Sequence, residues 1–312
     1  MKRNLEYFFT YKTNVKERWK NKELLEVLVY EFRTRTEEYF RQAIECGVIK
    51  VNDEIVKPTR KLKLTDSITH TVHMHEPQPP AIEILSKEED YVVVNKPAGV
   101  PCHPTGGYMY YSVTKSLFGD TKVACVNRLD MPVSGIMIIT FNNLSTCLEK
   151  IKDAKKIYIA KVRGIFPEYV KVDKKIVCKE GRRRYVSEEG KDCETIFKLI
   201  SYKDGFSLVQ CQPITGRTHQ IRIHMQSLGF PIVNDIIYGD QVAETVEQTD
   251  SMCKADISEF EDEKMYKCVI KNCKGENNRS FNNKHYFICL HAWKYVYDGK
   301  EFEAPWPEWC KI

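Results

Sequence analysis

The chain has 312 residues, 42% of them hydrophobic, and a net charge of +5. That supports one large domain with a small companion, and no apolar run is long enough to span a bilayer. The first residues, MKRNLEYFFTYK, hold no secretory apolar stretch. They place Glu6 where a mitochondrial presequence avoids acids, so cytoplasm or nucleus is the expected compartment.

Twelve cysteines without a CxxC pair read as reduced thiols rather than as a disulfide framework. Cys253, Cys268, Cys273 and Cys289 are spaced too irregularly for a structural zinc site. His70, His73 and His75 fall in an extended segment that reads as a polar strand edge rather than a metal site. The charge is uneven: residues 241–263 carry eight acids and one lysine, which leaves +12 on the remainder. Basic clusters lie at Lys57, Arg60, Lys61 and Lys63, along 150–163, and at Lys179, Arg182, Arg183 and Arg184. Together they favour a polyanion as partner.

In chain order, residues 1–76 read as a small mixed module. NKELLEVLVYEF has helical apolar spacing at Leu24, Leu25, Leu28, Val29 and Phe32. TEEYFRQAIECG is a second helix, with Gly47 as its stop, and Asn52-Asp53 marks a hairpin turn. HEPQPP cannot run as helix and supplies the linker, residues 77–84. From residue 85 to 312 strands interleave with helices: YVVVNKPAG, GIMIIT, KKIYIAKVRG, FSLVQCQP and YFICLHAWKYVY as strands, NNLSTCLEKIKD as a helix. Thr215 would cap a further helix ending at Gly229, and residues 241–284 read as a charged insertion.

Arg128 and Asp130 stand two positions apart at the mouth of the apolar run Gly135–Ile139. In an extended segment they face one way, so Arg128 would neutralise Asp130 as an ordinary strand-end ion pair. A second stretch competes with that reading. Arg217, His219, Gln220, Arg222 and His224 crowd into eight residues, too polar for an ordinary amphipathic helix.

Four ordered blocks carry a resemblance. VNRLDMPVSGIMII resembles the HRLDxxTSG signature of the RluA-type pseudouridine synthases, and KKIYIAKVRG resembles that family's KxYxAxVxG strand. GRTHQIRIHMQSLGFPIVNDIIYG and VVVNKPAGVPCHP are similar to its two remaining blocks. Residues 85–240 and CLHAWKY are covered, with Asn127 in place of the common His and Val133 in place of Thr. The front end resembles the eukaryotic branch that contains the fungal tRNA pseudouridine-32 synthases.

The resemblance implies an α+β pseudouridine synthase fold, with a mixed, largely antiparallel central sheet flanked by helices and a small N-terminal S4-like α/β module. It implies isomerisation of uridine to pseudouridine in tRNA, with Asp130, Tyr158 and Arg222 catalytic. RNA contacts fall to Lys96, Asn127, Arg128, Arg217, His219 and Gln220, and Leu290 belongs to the pocket. Arg128 would help flip the base, Tyr158 would stack on it, and Arg222 would pair with the aspartate. No metal or organic cofactor is implied, no membrane and no obligatory protein partner, and a monomer is expected. Another tRNA or rRNA uridine, or a catalytically silent RNA-binding protein of the same fold, stays open.

Overall fold

The computed structural model describes residues 5–32, 35–76, 78–178, 184–239 and 287–311. The acidic stretch 241–284, three of the four residues of the basic cluster at Lys179–Arg184, and the side chains of His73 and His75 lie outside the described residues. Two compact units meet in sequence at Gln78 and Pro79, within the segment expected to be the linker. Among the described residues no helix is long and apolar enough to cross a membrane.

The first unit contains β1 (Leu5–Asn14), α1 (Leu24–Glu31), α2 (Glu37–Glu45), β2 (Ile49–Val51) and β3 (Ser67–Glu76). Its sheet runs β1-β3-β2, and β1 pairs antiparallel with β3 along their whole length, from Leu5↔Glu76 to Asn14↔Ser67. Strand β1 was not anticipated, although its run of aromatic and β-branched residues is strand chemistry. Thr36 caps α2 by accepting from the Tyr39 N–H at 3.1 Å, and Gly47 ends that helix in the left-handed region at φ 76°. Asn52 and Asp53 both take positive φ, as a tight two-residue turn requires. Trp19, Leu24, Phe40, Ile44, Ile49 and Leu62 fill the core. Each such burial contributes about 2 kcal/mol. His70 corrects the edge reading, because β3 is the central strand. Its Nε2 meets the Tyr39 hydroxyl at 2.9 Å.

The second unit opens with β4 (Glu83–Lys87), β5 (Tyr91–Lys96), α3 (Val113–Phe118), β6 (Ala124–Cys125), β7 (Ser134–Thr140), α4 (Leu144–Lys150) and β8 (Lys155–Arg163). It continues through β9 (Tyr169–Val172), β10 (Ile176–Cys178), β11 (Arg184–Val186), β12 (Thr195–Lys203), β13 (Phe206–Pro213), α5 (Gln220–Ser227), β14 (Leu290–Tyr297) and β15 (Lys300–Glu303). A ten-stranded sheet runs β4-β5-β7-β14-β8-β13-β12-β9, with β15 on β14 and β6 on β7. All its pairings are antiparallel except β7 with β14. That is the mixed, largely antiparallel sheet the family resemblance implied.

The position of β7 explains its composition. Ile136, Met137, Ile138 and Ile139 are fully buried, so both faces of the strand are covered and an apolar run replaces alternation. Gly135 opens that strand at φ +111°, and a Cβ there would lie 2.2 Å from the Ala292 carbonyl oxygen. Only glycine lets β14, from the far end of the chain, approach this closely. Strand β8 alternates as its sequence indicates. Tyr158 and Ala160 share one face with their β13 partners Cys211 and Val209.

Candidate active site

The segment Val126–Val133 leaves β6, turns through a Val133 N–H to Asp130 carbonyl bond of 3.0 Å, and enters β7. Asp130 is thereby set at the rim of an open cavity of about 570 Å³. Asn127, Arg128, Tyr158, Arg217, His219, Gln220, Arg222 and Leu290 border the same cavity. Nine of the ten residues nominated from the sequence thus come together, from four separate stretches of chain. Lys96 is the exception.

The cation that meets Asp130 is Arg222, not Arg128. Arg222 Nη1 donates to Asp130 Oδ2 at 2.8 Å, while Nε and Nη2 close a bidentate fork on Asp235 at 2.7 and 2.9 Å. Burial works against the charge of Arg222, but its bonds to Asp235 and the fields of both carboxylates outweigh that and raise its pKa. The guanidinium also lies 5.0 Å from the centre of the Tyr238 ring. Arg128, two residues from Asp130, is exposed and forms no ion pair among the described residues. The local pair read from extended geometry is therefore corrected: the chain turns at Asp130 instead of running straight.

Helix α5 begins at Gln220, later than the sequence suggested, with His219 ahead of it in the left-handed region at φ 59°. Thr215 does not cap it. Its hydroxyl donates to the Gln220 side chain at 2.8 Å and accepts from the Glu194 N–H at 3.1 Å. Gln220 is 3% exposed and has its amide bonded to Thr215, Arg217, Glu194 and Thr195, so it braces the loop. Arg217 remains exposed at the cavity, donating from Nε to the Asp192 carbonyl at 3.2 Å.

Lys96 and Asn127 are both engaged by the protein. Lys96 is fully buried, and its ammonium donates to the carbonyls of Pro97, Val100 and Met131 at 2.9, 2.7 and 3.1 Å. Burial pushes its pKa down to about 8. It ties the β5 exit to the Asp130 segment. Asn127 borders the cavity, yet its amide is engaged by the protein. Oδ1 accepts from the Ile138 N–H at 2.7 Å, and Nδ2 donates to the Ile136 carbonyl and the Tyr295 hydroxyl at 3.2 and 3.3 Å.

Tyr158 presents its ring to the cavity and shares a 2.5 Å hydrogen bond with the Tyr295 hydroxyl. Burial, and then Tyr295, push the Tyr158 pKa well above the usual phenol range, so the hydroxyl keeps its proton at neutral pH.

Asp235, Tyr238 and Tyr295 escaped the sequence reading. Asp235 had a signal: it is the one carboxylate in the apolar stretch FPIVNDIIYG, and a buried carboxylate demands a cation. Tyr295 had none in simple alternation. A bulge between Ala292 and Lys294 shifts the register, so that Leu290 and Tyr295, an odd number of positions apart, both line the cavity.

The fold matches a solved human RNA pseudouridylate synthase domain-containing protein, with a TM-score of 0.51 at 21% identity over 74% of this chain and 86% of that one. A family model described as RNA pseudouridylate synthase matches residues 90–227. In sequence, RNA pseudouridine synthase 7 of Arabidopsis thaliana is 34% identical over 98% of this chain and 85% of its own length. The mitochondrial tRNA pseudouridine(32) synthase of Saccharomyces cerevisiae is 41% identical over 75% of this chain. This chain spans 54% of the length of that yeast relative. The chain belongs to the RNA pseudouridylate synthase family.

Proposed function

We propose that the protein isomerises uridine to pseudouridine in tRNA, at position 32 of the anticodon stem-loop, with Asp130 as its catalytic residue. The observation that carries this is the Asp130 carboxylate at an open cavity. Its Oδ2 is held by Arg222, and Oδ1 takes no hydrogen bond among the described residues. The reaction breaks N1–C1′, turns the base and joins C5 to C1′, so the uridine leaves the RNA stack first. Arg128, exposed and without a carboxylate partner among the described residues, fills the space the base vacates or holds a phosphate. The Tyr158 ring packs on the flipped base, its retained hydroxyl proton bonded within the tyrosine pair. Position 32 is supported by the name of the yeast relative and by the likeness of this chain's front end to that branch.

In this reading residues 1–76 are an S4-like RNA-binding module, 77–84 a linker and 85–312 the catalytic domain with its charged insertion. Exposed Lys57, Lys61 and Lys63 in the first unit supply phosphate contacts. The protein acts as a monomer in the cytoplasm or nucleus.

The test compares wild type with Asp130→Asn on transcribed tRNA, mapping pseudouridine by carbodiimide adducts that stop reverse transcription. A stop at uridine 32 in the wild type alone is the expected result. Stops at other uridines overturn the position, and turnover by Asp130→Asn overturns the role of Asp130. That variant is expected to fold, because Asp235 still neutralises Arg222.

A further inference from the structure

His219 stands on the other side of the same carboxylate. Its Nε2 lies 3.5 Å from Asp130 Oδ2, the oxygen already bonded to Arg222, and its Nδ1 lies 2.9 Å from the Tyr238 hydroxyl. The Tyr238 oxygen also takes a hydrogen bond from the Arg184 backbone. An N–H from His219 on the same oxygen would leave the tyrosine proton with no acceptor among the described residues. The Tyr238 hydroxyl therefore accepts from Arg184 and donates to Nδ1, which places the proton of the neutral imidazole on Nε2, facing Asp130.

The placement of the ring is costly. His219 sits at φ 59°, a region that non-glycine residues rarely occupy. The Tyr238 backbone that holds it is anchored in turn, its N–H donating to Asp235 Oδ1 at 3.1 Å. Gly239 closes the turn, donating to the Asp235 carbonyl at 2.6 Å where a Cβ would meet that oxygen at 2.3 Å.

We propose that His219 is a positioning residue, oriented by Tyr238, which joins Arg222 in engaging Oδ2 of Asp130 and so presents Oδ1 alone to the sugar. This rests on the pseudouridine synthase reading and adds to it the choice of reacting oxygen. One guanidinium N–H leaves a carboxylate free to rotate about Cβ–Cγ. A second donor directed at the same oxygen, from the residue that precedes α5, fixes the plane. The groups facing His219 are Asp130 from the segment before β7, Arg222 on α5, Arg184 on β11, and Asp235 and Tyr238 after α5. Burial comes first among the influences on it and lowers its pKa, so the ring is neutral at pH 7. Protonation in acid puts a full charge on Oδ2 and draws electron density from the carboxylate, slowing the reaction.

The test uses the full chain as wild type, Tyr238→Phe, which keeps the ring over Arg222, and His219→Asn, which suits the left-handed backbone. Single-turnover rates across pH and RNA dissociation constants are measured on tRNA. Both variants are expected to lose about 10- to 100-fold in rate with RNA affinity unchanged. The fall in wild-type rate on acidification below the ordinary histidine range should be absent in His219→Asn. An unchanged rate and pH profile in His219→Asn overturns the proposal. A long-range 1H–15N spectrum of the imidazole reads the tautomer without any turnover. Nε2–H is expected, and Nδ1–H overturns the assignment. A wild type that shows Nε2–H yet forms no pseudouridine overturns the functional reading instead, and with it the role assigned to His219.

Discussion

Replacing Asp235 with Asn tests the central claim about the site, that the charge of Arg222 is held from behind so that one arm reaches Asp130. The side chain of Asp235 is fully buried and that of Arg222 is 3% exposed. Asparagine keeps the volume, and its carbonyl oxygen still accepts from the Ile237 and Tyr238 N–H groups, which now bond Oδ1 at 3.0 and 3.1 Å. It sets an amide NH2 against Arg222 Nε–H, donor facing donor, and removes the fully buried counter-charge. Breaking a buried pair by removing one partner costs about 3–5 kcal/mol. Asp130, a quarter exposed and 2.8 Å away, retains part of the attraction, which points to the lower end, about 3 kcal/mol. For a unit of this size that lowers the melting temperature by about 6–12 °C. Thermal unfolding followed by circular dichroism measures it, and urea unfolding gives the free energy directly. The same variant should lose turnover at temperatures where it is fully folded, because Arg222 is released from its fork. A melting temperature within about 1 °C of wild type would refute the reasoning, since a stranded buried guanidinium cannot be that cheap.

Two other substitutions probe the scaffold. Lys96 is held to about 8 in the fold against an ordinary 10.5, so between those values the unfolded chain binds more protons and stability rises with pH. The gap corresponds to about 3 kcal/mol, and urea unfolding from pH 7 to 10.5 should show this rise in the wild type. The rise should be missing in Lys96→Met, and identical slopes in the two proteins would refute the burial of a charged lysine. Gly135→Ala drives a methyl into the Ala292 carbonyl at a φ that alanine avoids, and should cost more than about 3 kcal/mol by thermal unfolding. A change of less than about 0.5 kcal/mol would mean that β14 does not approach β7 as described.

The fold was legible where one physical signal acted alone. The continuous apolar run of β7 announced a strand covered on both faces, and the alternation in β8 put Tyr158 on the correct side. Gly47 and the Asn52-Asp53 turn followed from local backbone chemistry. Signals failed where tertiary context overrode them. Thr215 looks like a cap but is drawn off by Gln220 and Glu194. Lys96, read as a cation for RNA, finds three backbone carbonyls around it, and no local pattern encodes such a convergence. Tyr295 depends on a bulge, which displaces alternation by one residue.

The exchange of Arg128 for Arg222 as partner of Asp130 bears on function as well as on legibility. A neighbour two positions away would satisfy the carboxylate, yet it would also occupy the arginine nearest the place where, in the proposed function, a base is displaced. By drawing the counter-charge from α5, 92 positions along the chain, and fastening it to Asp235, the fold neutralises Asp130 with a buried group that cannot leave. Arg128 is then exposed at the cavity and, among the described residues, meets no carboxylate. The two cations differ in what holds them, and that difference suits them to different tasks. One is fixed by three hydrogen bonds to two carboxylates, and the other, in the proposed function, follows the RNA. In the proposed function Arg128 enters the RNA stack and withdraws, and an arginine that does so cannot be the one that holds the Asp130 carboxylate in place.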